Sequence, residues 1–314
     1  MPRTITTDTS VQVNRDEHGQ RLDRFLAARF SSCGLRGWRR LCEGGGVLVN
    51  GRTGAPGVKL LEGQSVTIVS GLLPDRTSSA LCPTPFPVTL TSDLAAVCKP
   101  SGMHSAALSG RADSSVESLL ATGTLVPPVD GFSPTLLNRL DYGTSGLLMV
   151  ARSDRGIALW REAEDAGMVD KRYLALVHGL PETSLLIRIG LDTANRSRSK
   201  ALAEETPDPL RHTAVEPLGS LDREALKRIG LNTAIRVGLV ACRIRKGARH
   251  QIRAHLAWAG YPLIGDTAYG SPCHEPFFLH HSEIILPAFS AHTPAPWTGF
   301  ESAGHNPPET IRSV

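Results

Sequence analysis

An acid held between two apolar runs constrains this chain more than any other feature. Asp141 stands in Asn138-Arg139-Leu140-Asp141-Tyr142-Gly143-Thr144-Ser145-Gly146, with Leu136-Leu137 before the segment and Leu147-Leu148-Met149-Val150 after it. Such flanks belong in a core, so the fold has to bring a carboxylate to the edge of its own interior. A carboxylate buried alone is too costly to leave without a counter-charge or hydrogen-bond donors. Arg139 lies two residues earlier and points to the same side of an extended segment. Gly143 and Gly146 permit the sharp backbone that presents the acid at a strand end. Read in isolation, the segment also fits a structural turn in which Asp141 caps the amide of Thr144 or Ser145.

The 314 residues are enough for one large domain plus a small one. No window approaches the roughly eighteen consecutive apolar residues that a membrane helix needs. Met1 to Gln20 is polar and lacks the apolar stretch of a secretory signal, so a cytoplasmic protein with no membrane partner is expected. Cys33, Cys42, Cys82, Cys98, Cys242 and Cys273 show no paired spacing and read as free thiols, neither a disulfide frame nor a zinc site.

A net charge of +4 says little, but its distribution says more. Arg21, Arg24, Arg29, Arg36, Arg39, Arg40, Arg52 and Lys59 face only Asp23 and Glu43 over the stretch from Arg21 to Lys59. Arg236, Arg243, Arg245, Lys246, Arg249 and Arg253 form a second stretch that contains no acid. Either cluster alone fits a solvated face; the pair together fits a polyanionic partner better.

Leu22, Phe25, Leu26 and Phe30 recur at helical spacing, and a second basic helix over Arg36 to Glu43 offers Trp38 and Leu41 as contacts. Gly44-Gly45-Gly46 ends it, Val47-Leu48-Val49 reads as a strand before an Asn50-Gly51 turn, and Gln64 to Val69 as another strand. The triple glycine is no phosphate loop, because no Lys-Ser/Thr follows it. Residues 72–87 hold Pro74, Pro83, Pro85 and Pro87 and read as a linker between a domain over 1–71 and a second over 88–314. In the second domain, strands are expected at Leu94–Lys99, Gly146–Ala151, Lys171–His178, Ile235–Arg245 and Phe277–Leu286. Helices are expected at Ser115–Ala121, Asp154–Ala166 and Arg249–Ala259. Strands without regular βαβ alternation argue for an α+β fold on a mixed or antiparallel sheet. Thr206 to Leu210 and Gly219 to Leu231 read as surface insertions, and the chain from Pro287 onward as a trailing surface segment.

Two further blocks carry chemistry. Along Lys171-Arg172-Tyr173-Leu174-Ala175-Leu176-Val177-His178-Gly179, alternation puts Lys171, Tyr173, Ala175 and Val177 on one face. Lys246-Gly247-Ala248-Arg249-His250-Gln251-Ile252-Arg253-Ala254-His255-Leu256 opens a helix that Gly260 and Pro262 end. Ile252, Leu256 and Ala259 make its core stripe, while Arg249 and Arg253 share another side. His250 and His255, five apart, are poorly spaced as metal ligands on a helix, so no metal is expected.

The 138–146 segment strongly resembles the signature of RluA-type pseudouridine synthases, His-Arg-Leu-Asp-x-x-Thr-Ser-Gly, met here at Arg139, Leu140, Asp141, Thr144, Ser145 and Gly146 and departed from at Asn138. The 171–179 block is similar to that family's Lys-x-Tyr-x-Ala-x-Val-x-Gly. The 247–253 block resembles its Gly-Arg-x-His-Gln-Ile-Arg, with Ala248 in place of an arginine. Gly260, Pro262, Gly265, Asp266, Tyr269 and Gly270 continue it, and Lys99-Pro100-x-Gly102 resembles its opening motif. Arg21-Leu22-Asp23 and Val47-Leu48-Val49-Asn50-Gly51 resemble the small α/β S4 RNA-binding module.

The resemblance implies a pseudouridine synthase catalytic domain with Asp141 as nucleophile, Tyr173 against the uracil and Arg253 as the partner of Asp141. It implies substrate contacts at Arg139, Thr144, Ser145, Arg249, His250, Gln251 and Ile252. The S4-like part would bind RNA through Arg21, Arg24, Arg39 and Arg40. Moving uracil from an N1 to a C5 linkage is redox-neutral, so no cofactor is required. The partner implied is RNA, with ribosomal RNA favoured over transfer RNA by the S4-like module, and the chain is expected to act as a monomer. A non-catalytic S4-type RNA-binding protein is the alternative, against which stand Asp141 and Tyr173. A glycosidase or phosphohydrolase should show a second acid or a metal cluster near the first, and the sequence shows neither.

Overall fold

A computed structural model describes residues 9–30, 35–69, 84–107, 115–195, 197–231, 236–271 and 276–297; the side chains of Arg36 and Arg40 lie outside that description. Most of the expected linker, Cys33, Cys82, Cys273 and Ile235 also lie outside the described residues. The chain divides into two compact units, Met1–Thr77 and Ser78–Val314.

The first unit runs β1 (Thr9–Gln12), α1 (Leu22–Arg29), α2 (Leu35–Glu43), β2 (Val47–Val49), β3 (Arg52–Thr53) and β4 (Ser65–Ile68). Its sheet has the order β1-β4-β2-β3. Leu22, Phe25, Leu26, Phe30, Trp38 and Leu41 bury the apolar faces of both helices against Val47, Val66 and Ile68. Asn50 and Gly51 both take positive φ (49° and 76°), which gives the tight β2–β3 turn its hand.

The second unit runs β5 (Phe86–Leu90), β6 (Leu94–Lys99), α3 (Val116–Ala121), β7 (Thr135–Leu136), β8 (Ser145–Ala151), α4 (Asp154–Asp165), β9 (Asp170–His178) and β10 (Leu185–Ile187). It continues with β11 (Ile189–Asp192), β12 (Lys200–Glu205), β13 (Thr213–Ser220), α5 (Arg223–Arg228), β14 (Val237–Ile244), α6 (Gln251–Trp258), β15 (Leu279–Leu286) and β16 (Phe289–His292). One sheet follows the order β10-β13-β14-β9-β15-β8-β6-β5, with β16 on β15 and β7 on β8. The fold is α+β with a mixed sheet. Its neighbours pair antiparallel except at β8 and β15, where Ser145 and Gly146 run parallel to His280 and His281. Alternation along β9 sends Tyr173, Ala175 and Val177 into a cluster with Ile252 and Leu256 of α6. Leu176 packs on the opposite side with Phe278, Ala295 and Trp297.

Several local expectations are corrected. Gly219 to Leu231 is no plain surface insertion: it finishes β13, forms α5 and buries Leu226, Ile229 and Leu231. The segment after Pro287 does not merely trail on the surface, since β16 adds to the sheet and Phe289, Ala291, Ala295 and Trp297 are buried. β5 opens at Phe86, inside the proline-rich stretch; Pro87 is tolerated because β5 is the sheet edge. α6 starts at Gln251, two residues after the expected Arg249, because His250 caps it in the left-handed region with φ 54°. Among the described cysteines, Cys42, Cys98 and Cys242 are buried and in no disulfide.

Candidate active site

The site forms where the parallel β8–β15 contact meets the loop that enters β8. Asp141 is four residues ahead of Ser145, the first residue of β8, and the amide of Thr144 donates to its carbonyl at 3.1 Å, closing a tight turn. Gly146, at φ 108°, lies so close to β15 that a Cβ there would collide with the backbone of His281. The glycine is therefore what lets the two parallel strands meet beside the acid. A second loop holds the first. Ser105 Oγ donates to Leu140 O (2.9 Å) and accepts from Leu140 N (3.0 Å), while Ser101 Oγ donates to Gly143 O (2.7 Å). Lys99, fully buried, donates to the carbonyls of Pro100 and Met103 at 2.9 Å and lies 3.4 Å from that of Tyr142. Burial brings the Lys99 ammonium down to about 7, against the opposing pull of the Asp141 charge.

Asp141 remains 28% exposed, and α6 brings it a cation: Arg253 Nη1 donates to Asp141 Oδ2 at 2.8 Å. The same guanidinium grips Asp266 in a fork, Nε to Oδ2 at 2.7 Å and Nη2 to Oδ1 at 2.9 Å. Tyr269 and Phe277 stack on it, each ring centroid about 5 Å from its central carbon. Burial works against the Arg253 charge, but Asp266 and Asp141 outweigh it and hold its pKa above the ordinary arginine value. Asp266, with its side chain 1% exposed, is the acid that fixes the arginine, leaving one of its nitrogens for Asp141. His250 Nε2 lies 3.7 Å from Asp141 Oδ2, and burial lowers its pKa, so the imidazole is neutral around pH 7.

Tyr173 closes the site from β9. It is paired across the sheet with His281 of β15, and the two rings stack with centroids 4.4 Å apart at 11°. Burial of the phenol, reinforced by the Asp141 charge, raises its pKa, so it stays protonated at neutral pH. His281 donates from Nδ1 to Leu147 O at 2.6 Å, and burial depresses its pKa to about 3, so it is neutral too. A carboxylate, one shared guanidinium and a flat neutral aromatic wall thus converge on one edge of the core.

The chain has relatives among known proteins. The sequence profile described as RNA pseudouridylate synthase matches residues 93–258 of the 314, more than half the chain. The chain belongs to that family. The synthase is 27% identical over 268 residues to an uncharacterized RNA pseudouridine synthase of Bacillus subtilis, an alignment spanning 83% of this chain and 82% of the relative. It is 29% identical over 275 residues to the ribosomal large subunit pseudouridine synthase C of Escherichia coli, spanning 83% and 79%. The solved human RNA pseudouridylate synthase domain containing 1 shares its fold at a TM-score of 0.53, with 22% identity over 68% of this chain and 84% of that one.

The remaining expected site residues of the synthase are placed unevenly. Arg139 is exposed on the loop next to Asp141. Thr144 and Ser145 are buried, and Ser145 Oγ donates to Nδ1 of His280 at 2.9 Å, whose Nε2 donates to Thr293 O. Gln251 and Ile252 are buried as well: Gln251 Nε2 donates to Arg211 O, and Ile252 belongs to the core. These four support the site from within. Arg249 does not share a side with Arg253, because the left-handed His250 turns it away; it donates to Thr193 O at 3.1 Å and braces the β11–β12 hairpin. Asn138, which departs from the family pattern, accepts from Met149 N at 2.8 Å and anchors the loop to β8. Asp266, His281 and Lys99 had no role in the sequence reading. The second acid expected only of a glycosidase is present after all, but both its oxygens are committed to Arg253.

In the first unit, Arg21 and Arg39 both bind the fully buried Asp23, at 3.0 Å and 2.7 Å, while Arg24 is exposed. The Arg40 side chain lies outside the described residues.

Proposed function

We propose that this RNA pseudouridine synthase acts on large-subunit ribosomal RNA, with Asp141 as its nucleophile, Tyr173 as the wall against the uracil and Arg253 as the cation that positions the acid. The observation that carries the reading is the Asp141–Arg253–Asp266 chain beside the Tyr173–His281 stack. The carboxylate holds the sugar carbon, or bonds to it, as N1 of the uracil leaves. The base turns, C5 bonds to the same carbon as the carboxylate leaves it, C5 loses its proton and N1 gains one. A flat aromatic floor supports that turn without fixing the base by directed hydrogen bonds. The ring of Tyr173, stacked on His281, is the surface it offers the base.

Water has to be kept from the sugar, since its attack would leave an abasic site. Asp266 is unsuited to activating water, being buried and held on both oxygens by one guanidinium. The target uridine must leave its stack to reach the site, and Arg139, exposed beside Asp141, is placed to contact the RNA as it does so. The first unit is read as an S4-like RNA-binding module. Asp23 fixes two arginines that still keep 43% and 46% of their side chains exposed, which leaves the cluster net positive toward a phosphate backbone.

The ribosomal target draws on relatives such as the Escherichia coli synthase named for it. Mapping pseudouridine in ribosomal and transfer RNA from cells with and without the chain tests it. Sites lost from large-subunit ribosomal RNA are expected; sites lost from transfer RNA alone would move the target, and no lost site would refute the function.

A further inference from the structure

The residue after the proposed nucleophile has no task in the pocket. Tyr142 is 50% exposed, whereas Tyr173 is 7% exposed. A single exposed aromatic is ordinary on a protein surface; this one is unusual in how firmly it is held. Its carbonyl accepts from Gly102 N at 2.8 Å and lies 3.4 Å from the buried Lys99 ammonium, and the next carbonyl, of Gly143, accepts from Ser101 Oγ. Its ring leans on His104, with centroids 4.6 Å apart at 45°. His104 is itself anchored, its carbonyl accepting from Val116 N at 3.0 Å. The result is an aromatic shelf fixed at its base, open on its face and adjacent in sequence to Asp141.

We propose that Tyr142, backed by His104, stacks on the nucleobase flanking the target uridine. The inference rests on the function proposed above. When a uridine turns out of its stack toward Asp141, the neighbouring base loses one of its two stacking faces. The target uracil belongs at the buried Tyr173, and Tyr142 lies on the open side of the same loop, where the flanking nucleotide passes. A preset ring can replace the lost face with little ordering cost, because its backbone is already fixed. Stacking accepts any base, so the shelf would favour RNA in which a flanking base is free to unstack without dictating its identity.

The test uses the full chain and a hairpin RNA spanning the uridine found by mapping, made intact or with an abasic nucleotide on either side of that uridine. Tyr142→Ala should lose roughly tenfold in kcat/KM on the intact hairpin, and Tyr142→Leu, which keeps bulk but lacks a ring, nearly as much. Tyr142→Phe should stay close to the wild-type chain. On the hairpin lacking the stacked flanking base, wild type and Tyr142→Ala should converge. An equal loss from Tyr142→Ala on all three hairpins, no loss on the intact one, or a loss in Tyr142→Phe matching Ala would overturn the inference. Failure of the function itself reads differently: the wild-type chain then makes no pseudouridine in any hairpin, and the shelf falls with it.

Discussion

Arg21-Leu22-Asp23 and Arg139-Leu140-Asp141 are the same three residues in the same order, one set in each unit. At 21–23 the arginine folds back on the acid two residues later, with Nε and Nη2 on the two carboxylate oxygens, and Arg39 adds a third bond. Asp23 is fully buried, its bonding to Arg21 outweighs the cost of burial, and its carboxyl falls to about 2. At 139–141 the arginine is exposed, and the acid is met by Arg253, 112 residues away, through a single nitrogen. One acid is saturated and closed; the other keeps exposed surface and an oxygen to offer. The tripeptide does not decide chemistry. What differs is the partner that meets the acid: the local Arg21 and Arg39 at Asp23, and the distant Arg253 at Asp141.

Breaking the distant partner has the largest expected effect. Arg253→Leu removes the guanidinium that Asp141 and Asp266 share and leaves Asp266 buried without it, a change that costs about 3–5 kcal/mol. Pseudouridine formation should be nearly abolished and the melting temperature of the catalytic unit should drop; a stable, active variant would mean that Arg253 only decorates the site. Next is the aromatic wall. Tyr173→Ala should lose most activity, while Tyr173→Phe should retain much of it, because the ring and its stack on His281 survive. If Phe is as damaged as Ala, the hydroxyl and not the ring is what the reaction uses.

The closed acid should behave in the opposite way. Asp23→Asn is expected to lower the melting temperature of the N-terminal unit by about 4–8 °C for each kcal/mol lost, while turnover of a short RNA stays near wild type. Loss of turnover on short RNA with an intact fold would show that Asp23 does more than brace Arg21 and Arg39.

The smallest effect sharpens the contrast through pH. Burial lowers His255 and His280 to about 4 and His281 to about 3. The unfolded chain therefore takes up protons first, and the stability these neutral imidazoles confer is lost as pH falls from about 6.5 toward their folded values. Asp23 runs later: its contribution is present above the ordinary carboxylate value near 3.8 and is lost as pH falls through about 2. Hydrogen exchange measured from pH 7 to 3 should find the catalytic unit loosening before the N-terminal one. The reverse order would contradict the assignment of neutral buried imidazoles.

Much of this was legible in the chain because it rests on local patterns. The apolar flanks of Asp141 and the alternation around Tyr173 need no partner to be read. Asp266 was visible as a matched residue but not as the anchor of Arg253, because its role comes from the turn after α6 folding back on that helix. The departure of Arg249 from the side of Arg253 hangs on the left-handed His250, and non-glycine positive φ leaves no signal in a window of helical periodicity. β10 to β12 were passed over because they are short or largely exposed, as β12 shows, and β13 because Pro217 and Gly219 interrupt its alternation where its register shifts. β16 was hidden by the prolines that flank it, Pro287 and Pro294, and its pairing with β15 shows why Phe289 and Ala291 are apolar.

The central claim is that the open acid, not the closed one, reacts. Asp141→Asn and Asp23→Asn, purified in parallel and given the same uridine-containing RNA, measure it directly. Asp141→Asn should form no detectable pseudouridine while keeping its melting temperature and RNA affinity within a few-fold, and Asp23→Asn should form it at close to the wild-type rate on a short RNA. Pseudouridine from Asp141→Asn at the wild-type rate would contradict the account.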